Sequence, residues 1–112
     1  MHLNDILRQA FEQDASDVHL VADHPPMMRV HTVMQDMECP ALTGDGLRRA
    51  LEQMVSPAQL ATFDAESDLD FSYEVADLQR YRVNAHLQRG KVAMALRGIK
   101  TSVPPLADLN LP

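Results

Sequence analysis

The chain has 112 residues, enough for a single domain with one modest hydrophobic core. Its 10 Lys and Arg residues against 16 Asp and Glu residues give a net charge of -6, which argues against general nucleic-acid binding because that depends on cationic neutralisation of phosphates. The single cysteine, Cys39, excludes an internal disulfide, and no apolar run approaches the ~20 residues of a membrane-spanning helix. The first residues lack the apolar segment of a secretory signal, so we expect a cytoplasmic protein.

Two elements are predicted at the start of the chain. Apolar residues recur at helical spacing over residues 3–11, which predicts an amphipathic helix lying on a sheet, with Asn4 as its N-cap. Alternating apolar and polar residues over 18–22 then predict a short β-strand. The apolar side of the helix is formed by Leu3, Ile6, Leu7, Ala10 and Phe11.

A hairpin and two helices are predicted next. Residues 27–30 and 33–37 have the composition of strands, with a turn near His31-Thr32, a dipeptide that forms turns weakly. Thr43 fits the N-cap of one helix, and Ser56-Pro57 fits the start of another, since serine caps helices and proline is favoured at the first helical position. The side chains expected to point inward from these helices are Leu47, Ala50, Leu51, Met54, Val55, Leu60, Ala61 and Phe63.

The most regular alternation follows. Residues 68–75 predict a strand with acidic residues facing outward, and residues 79–99 predict a β-hairpin centred between Arg89 and Gly90. Two loops give the same strand pairing: a two-residue turn, in which Arg89 would need an unfavourable positive φ, or a four-residue loop over 88–91. A three-residue loop would shift the pairing by one residue and mix the apolar and polar faces, which burial of one face opposes.

The preferred hairpin register places Arg82 directly opposite Arg97 on the polar face. Like charges at such positions repel by roughly 1 to 3 kcal/mol at an effective dielectric of about 20 and a ~5 Å spacing, so an acidic neighbour or a bound anion should compensate them. Two interpretations remain open. Either Asp70, Ser72 and Glu74 on the adjacent strand neutralise a solvated arginine row, or the two guanidinium groups form a phosphate clamp held by rigid strands.

Other catalytic or ligand-binding patterns have little support. Gly90-Lys91 is the only Gly-Lys pair and does not belong to a P-loop, so the chain has no ATPase site of its own. The five histidines show no metal-binding spacing, and nothing in the sequence places a base beside Cys39. An enzymatic role for the Asp and His residues is therefore the least supported interpretation.

The last part of the chain differs from the rest. Residues 100–112 have neither helical nor strand periodicity and contain three prolines. We expect residues 1–99 to form the domain and residues 100–112 to form an interdomain linker, which suggests that the chain is the front part of a longer protein.

Five short motifs occur in a fixed order along nearly the whole chain. They are Ala15-Ser-Asp-Val-His-Leu20, Pro25-Pro26 followed by Arg29-Val30, Asp70-Phe-Ser-Tyr-Glu-Val75, Arg80-Tyr-Arg-Val-Asn84 and Arg97-Gly-Ile99. Their order and spacing resemble the N-terminal domain of type IV pilus retraction (twitching-motility, PilT-type) ATPases of the type II/IV secretion ATPase superfamily. The chain departs from the family pattern at His86, where an aromatic residue is usual, at Lys100, where proline is usual, and at His31-Thr32, where a glycine turn is usual.

The resemblance implies an architecture and a setting. It implies a PAS-like α+β domain, with an antiparallel sheet of about six strands and helices packed on one face. It further implies a RecA-like ATPase domain beyond Pro112, and a cytoplasmic homo-hexamer peripheral to the inner membrane that works with pilus inner-membrane platform proteins. In such a hexamer this domain would pack against the neighbouring subunit's motor domain and move relative to its own as ATP is bound and hydrolysed.

The resemblance also implies a role for the arginines. Residues that match Arg82 and Arg97 reach the nucleotide phosphates in such motors, with Arg80 as a third candidate, so Mg-ATP would be the ligand of the full-length parent. One alternative is the corresponding domain of a pilus-assembly or type II secretion ATPase. Another is a free-standing PAS-like interaction or sensory module with a small-molecule site inside the fold.

Overall fold

The computed structural model describes residues 2–99, which form three helices and six strands. In chain order these are α1 Leu3–Glu12, β1 Asp17–Leu20, β2 Met27–Val30, β3 Val33–Asp36, α2 Gly44–Met54, α3 Pro57–Glu66, β4 Asp68–Val75, β5 Gln79–Gln88 and β6 Lys91–Ile99. None of the helices within residues 2–99 has the length and apolar character needed to cross a membrane. The linker predicted over residues 100–112 lies outside the described residues.

The six strands form one antiparallel sheet in the order β3-β2-β1-β6-β5-β4. Strands β1 to β3 come from the first part of the chain and β4 to β6 from the last, and they meet where β1 pairs with β6. The predicted α+β fold, with a six-stranded antiparallel sheet and helices on one face, is confirmed.

The hydrophobic core lies between the helices and one face of the sheet. Alternate residues of the strands point toward the helices, because successive side chains of a strand point to opposite faces. Each fully buried aliphatic side chain of this core contributes about 1.5–3 kcal/mol relative to an exposed one. The largest fully buried side chains are Leu7, Leu20, Leu47, Leu51, Met94, Leu96, Val18, Val83 and Pro26.

Both helix starts predicted in the middle of the chain are confirmed. The Thr43 hydroxyl oxygen accepts a hydrogen bond from the Gly46 N–H at 3.0 Å and so caps α2. At α3 the Ser56 hydroxyl oxygen accepts from the Gln59 N–H at 3.2 Å, and the Ser56 N–H donates to Gln59 Oε1 at 2.9 Å. This reciprocal pair is a capping box, and it satisfies two N–H groups that the helix itself leaves unpaired.

The details predicted for α1 are wrong at two positions. The helix begins at Leu3, so Asn4 lies inside it, and its side-chain oxygen accepts a hydrogen bond from the Tyr73 hydroxyl at 2.8 Å instead of capping the helix. Phe11 is 44% exposed, whereas the other four apolar residues of this side are buried. Phe11 follows Ala10 by one position, about 100° around the helix axis, which places it at the margin of the apolar side.

The β2–β3 and β5–β6 hairpins close through two-residue turns. His31 and Thr32 have φ of 50° and 67°, and Arg89 and Gly90 have φ of 55° and 77°. The β5–β6 turn is therefore the shorter of the two loops that the sequence left open, and the strands stay paired up to it. The shorter turn keeps Gln88 paired with Lys91, a pair that a loop over 88–91 would lose, and this pairing offsets the cost of a positive φ at Arg89.

Candidate functional site

A row of charged residues crosses the outer face of the sheet, on the side away from the helices. Arg29, Asp17, Arg97 and Arg82 are successive cross-strand partners on β2, β1, β6 and β5, and Ser72 follows on β4. Directly paired residues project to the same face, so these side chains lie next to one another. Three guanidinium groups share the row with one carboxylate, which leaves two positive charges in excess.

The predicted register of the β5–β6 hairpin is confirmed, and Arg82 lies directly opposite Arg97. Both residues are exposed, and the Arg97 side chain retains 75% of its accessible surface. Among residues 2–99, Arg97 has one carboxylate partner and Arg82 has none within 4.0 Å. The pair is therefore only partly compensated by the described part of the chain.

The carboxylate partner of Arg97 is Asp17, which the sequence analysis did not identify. Asp17 Oδ1 lies 3.5 Å from Arg97 Nε, and Asp17 Oδ2 lies 3.5 Å from Arg29 Nε. The Asp17 side chain is only 13% exposed, because it lies between two arginines. One carboxylate thus bridges the guanidinium groups of β2 and β6.

The three compensating residues proposed on β4 act differently. Glu74 Oε1 lies 3.6 Å from Arg80 Nη2, so Glu74 neutralises Arg80. Asp70 Oδ1 accepts a hydrogen bond from Asn84 Nδ2 at 3.0 Å, and Ser72 carries no charge. On β4, Glu74 therefore compensates Arg80, whereas no acidic residue of this strand forms an ion pair with Arg82 or Arg97.

The sequence places Asp17 on the polar face of its strand, but it does not show which residues of other strands lie beside Asp17. The buried positions of Val18 and Leu20 alternate with Asp17 and fix its face. The pairing of β1 with β6 joins distant segments of the chain, and no local periodicity encodes which strand lies beside which. The sequence feature that could have indicated Asp17 is its position inside the first of the five motifs.

A groove of about 280 Å³ opens beside the arginine pair. Guanidinium groups present planar forks of N–H donors that match phosphate oxygens, and the strands that carry them limit their movement. Within residues 2–99 no three His, Cys, Asp or Glu side chains are grouped so as to hold a metal ion. The two guanidinium groups could bind an anion such as a phosphate, in a groove that two carboxylates, Asp17 and Asp70, also line. Its polar lining residues are Asp17, His19, Asp70, Arg82, Asn84 and Arg97.

The unusual residue His86 does not disturb the hairpin. It pairs with Ala93, and its Nδ1 lies 2.9 Å from the side-chain oxygen of Asn84. Asn84 in turn donates to Asp68 and Asp70 at 2.9 Å and 3.0 Å. A polar network thus occupies the side of the outer face next to the arginine pair.

Comparisons with known proteins were made for the sequence and for the fold. No family model matches the sequence. The chain is 30% identical, over all 112 residues, to the type IV pilus ATPase PilU of Pseudomonas aeruginosa, of which it covers 29%. It is also 30% identical over 111 residues, 99% of the chain, to the type IV pilus retraction ATPase PilT of the same organism, of which it covers 32%.

The comparison of folds also identifies PilT as a relative. The crystal structure of the pilus retraction motor PilT with bound ADP superposes on the whole chain with a TM-score of 0.85 and 32% sequence identity, and 33% of the PilT chain is covered. The chain spans about a third of the length of the relatives that it matches. Over its whole length, the chain is homologous to the N-terminal region of the type IV pilus retraction ATPase PilT and the type IV pilus ATPase PilU.

Proposed function

We propose that this chain is the N-terminal regulatory and oligomerisation domain of a hexameric ATP-driven motor that retracts type IV pili. In this proposal Arg82 and Arg97 contact the phosphates of ATP bound at the motor domain. The observation that carries it is the direct opposition of two exposed arginines on paired strands, in a row with excess positive charge. The homology to PilT and PilU supports the proposal that this site belongs to such a motor.

The charge balance supports a local anion site. The chain as a whole has a net charge of -6, so the positive row is not part of a generally basic surface. Direct opposition of like charges destabilises a sheet, and an anion that bridges the two guanidinium groups relieves the repulsion. A phosphate group has the charge and the oxygen geometry for this bridge.

The arginines would form one part of a larger nucleotide site. The chain contains no P-loop sequence, so the groups that cradle the phosphates and hold Mg²⁺ would come from a RecA-like ATPase domain of the same or a neighbouring subunit. Arg80 is already paired with Glu74 and would be an auxiliary contact. Mg-ATP is thus the proposed ligand of the full-length protein.

The homology to PilT and PilU supports the proposed setting. A retraction motor works where ATP is available, so we place it in the cytoplasm, peripheral to the inner membrane, as a homo-hexamer beside the pilus platform proteins. Within the hexamer this domain would contact the motor domains of its own and the neighbouring subunit, so that movement between domains brings the arginines to the nucleotide.

The test uses the full-length protein with Arg82→Gln and Arg97→Gln. Each change removes charge-assisted hydrogen bonds worth about 1.5–3 kcal/mol, so we expect kcat/KM for ATP to fall by roughly 10- to 100-fold. Arg49→Gln is the matched control, because Arg49 is an exposed arginine on α2. Wild-type ATPase activity and twitching motility in both Arg82→Gln and Arg97→Gln would refute the proposed phosphate contacts.

The complete reading frame gives a simpler first check. We expect a G-x-x-x-x-G-K-[ST] sequence within a few tens of residues after Pro112, because the proposed motor needs a P-loop. A reading frame that ends without one would instead favour the free-standing interaction module.

A further inference from the structure

Asp17 is the single carboxylate in the arginine row, and the proposed phosphate contacts do not use it. We propose that Asp17 is a positioning residue for Arg97, which holds the Nε edge of the guanidinium group and leaves its terminal nitrogens available to an anion. The effect on ATP hydrolysis rests on the proposed function above, whereas the hold on Arg97 is a property of this chain alone.

The geometry assigns each carboxylate oxygen to a different arginine. Asp17 Oδ1 lies 3.5 Å from Arg97 Nε, and Asp17 Oδ2 lies 3.5 Å from Arg29 Nε. The Arg97–Asp17 ion pair is at Nε, and the Nη nitrogens of Arg97 donate no hydrogen bond within residues 2–99. A guanidinium group has five N–H donors, so contact at the Nε edge leaves the four Nη donors for a ligand.

Burial makes Asp17 the fixed member of the pair. Its side chain is 13% exposed, whereas that of Arg97 is 75% exposed. A carboxylate shielded to this degree requires compensation by positive charge, and the two arginines provide it. Arg97 is therefore held at one edge by a shielded group and exposed at the other.

The backbone around Asp17 is also constrained on both sides. Asp17 pairs with Arg29 on β2 and with Arg97 on β6. The preceding residue, Ser16, donates its N–H to the Arg29 carbonyl at 2.9 Å and accepts from the Gly98 N–H at 3.1 Å. The carboxylate thus starts from a backbone position fixed relative to both arginines.

Positioning can be separated from competition. If Asp17 competed with phosphate for Arg97, removing its charge would tighten anion binding. If it positions Arg97, removing its charge allows the three arginines to move apart, and the proper approach of Arg97 to the phosphate is lost. The Nη nitrogens of Arg97 donate no hydrogen bond within residues 2–99, which supports positioning, because an anion can accept from them without displacing the carboxylate.

The first experiment measures Arg97 directly in the 112-residue chain. Side-chain Nε–Hε resonances are observed by ¹H–¹⁵N NMR in the wild type, in Asp17→Asn and in Asp17→Glu. We expect the heteronuclear NOE of Arg97 Nε–Hε to fall in Asp17→Asn and to recover in part in Asp17→Glu. An unchanged NOE in folded Asp17→Asn would overturn the proposal.

Two further variants keep this experiment decisive. Asp23→Asn is the charge-matched control, since Asp23 pairs with Lys91 at 3.2 Å and not with an arginine of the row, and we expect no change in Arg97. Arg29→Gln leaves Asp17 to Arg97 alone, so we expect the Arg97 NOE to rise. If Asp17→Asn does not fold, an unchanged NOE in Arg29→Gln overturns the proposal by itself.

The second experiment measures ATP hydrolysis by the full-length protein. We expect Asp17→Asn to lower kcat/KM for ATP by 3- to 10-fold, mainly through KM, with partial rescue by Asp17→Glu and no change in Asp23→Asn. A lower KM in Asp17→Asn would show competition and overturn positioning. Unchanged kinetics in Asp17→Asn, together with lost activity in Arg97→Gln, would overturn positioning and leave the proposed function intact.

Another combination of results would refute the proposed function and leave the role of Asp17 intact. If Arg82→Gln and Arg97→Gln retain full activity while Asp17→Asn releases Arg97 in the NMR measurement, the proposed function fails and the structural role of Asp17 stands.

Discussion

Arg82 and Arg97 are direct cross-strand partners on the exposed face of the sheet, and within residues 2–99 only Arg97 has a carboxylate beside it. The two residues therefore differ in their effect on the stability of the fold, although both are arginines of the same hairpin. Arg82 adds a charge to a row that already has one in excess, whereas Arg97 also compensates the shielded Asp17.

This asymmetry predicts opposite effects on stability. Arg82→Gln should raise the free energy of unfolding of the 112-residue chain by about 0.5–1 kcal/mol at low salt, because it removes the cross-strand repulsion. Arg97→Gln should give no gain, since it also removes a partner of Asp17. Urea titrations at 20 mM and 500 mM NaCl measure both effects, and the gain from Arg82→Gln should shrink at high salt. Equal stabilisation by the two variants would contradict this prediction.

The turn between β5 and β6 predicts a stabilising substitution. Arg89 has a φ of 55° and precedes Gly90, where two-residue turns of this kind favour Asn-Gly. Arg89→Asn should raise the free energy of unfolding by roughly 1 kcal/mol, because asparagine tolerates positive φ better. Urea denaturation gives the value, with Gly90→Ala as the opposite case, since alanine is strained at the φ of 77°. No stabilisation in Arg89→Asn would show that the turn is not strained.

The limits of sequence-based prediction are visible in the same hairpin. Alternation of buried Val83, Ala85 and Leu96 with polar residues was sufficient to predict the register and the Arg82–Arg97 pair. Residue identity alone did not distinguish a two-residue turn from a four-residue loop, because the strain at one residue competes with strand pairing on both sides. In the structure the strands stay paired up to Gln88 and Lys91, and Arg89 adopts the strained conformation.

A cluster between α2 and α3 predicts an acid-sensitive contribution to stability. The Arg48 guanidinium donates to Asp64 at 2.6 Å and 3.1 Å and to Glu52 at 2.9 Å. The hydrogen bonds from Arg48 lower the pKa of Asp64, so the contribution is present above the ordinary carboxylate pKa and is lost as pH falls through the lowered value.

Arg48→Met should therefore lower the urea midpoint at pH 7, and the difference from the wild type should shrink as pH falls below the ordinary carboxylate pKa and through the lowered pKa of Asp64. Arg49→Met is the matched control on the same helix and should show little change at either pH. A difference that persists unchanged at pH 2 would mean that Arg48 acts through packing of its aliphatic stem.

A buried tyrosine predicts the alkaline limit of the fold. Tyr81 is 2% exposed, and its hydroxyl donates to the Leu7 carbonyl oxygen at 3.5 Å. Burial raises the pKa of Tyr81 above the usual value of about 10. The folded state then holds the proton more strongly than the unfolded state, so the contribution of Tyr81 is fully present below about pH 10 and is lost as pH rises through the folded pKa.

Urea midpoints from pH 8 to pH 11.5 should show this fall in the wild type and a smaller fall in Tyr81→Phe. Tyr73→Phe is the control, because it leaves Tyr81 in place. Absorbance at 295 nm should show one tyrosine that ionises late. If Tyr81→Phe and the wild type lose stability in parallel, another group sets the alkaline limit.

The candidate site was predictable only in part, and the reason is its connectivity. Arg82 and Arg97 belong to one hairpin, so local alternation brings them together. Asp17 reaches Arg97 through the pairing of β1 with β6, and sequence periodicity specifies which face a residue occupies but not which distant strand lies beside it. Asp17, which contacts two arginines of the row, was therefore the residue whose neighbours local patterns could not assign.

The pairing of β1 with β6 also bears on how the domain folds. Strands β1 to β3 and strands β4 to β6 form two local meanders that can close early, whereas β1 and β6 come from distant parts of the described chain. Contacts between distant segments carry a larger chain-closure entropy and slow folding. Formation of this strand pair is thus expected to limit the folding rate, and the arginine row that crosses it is completed only when the two halves of the sheet have joined.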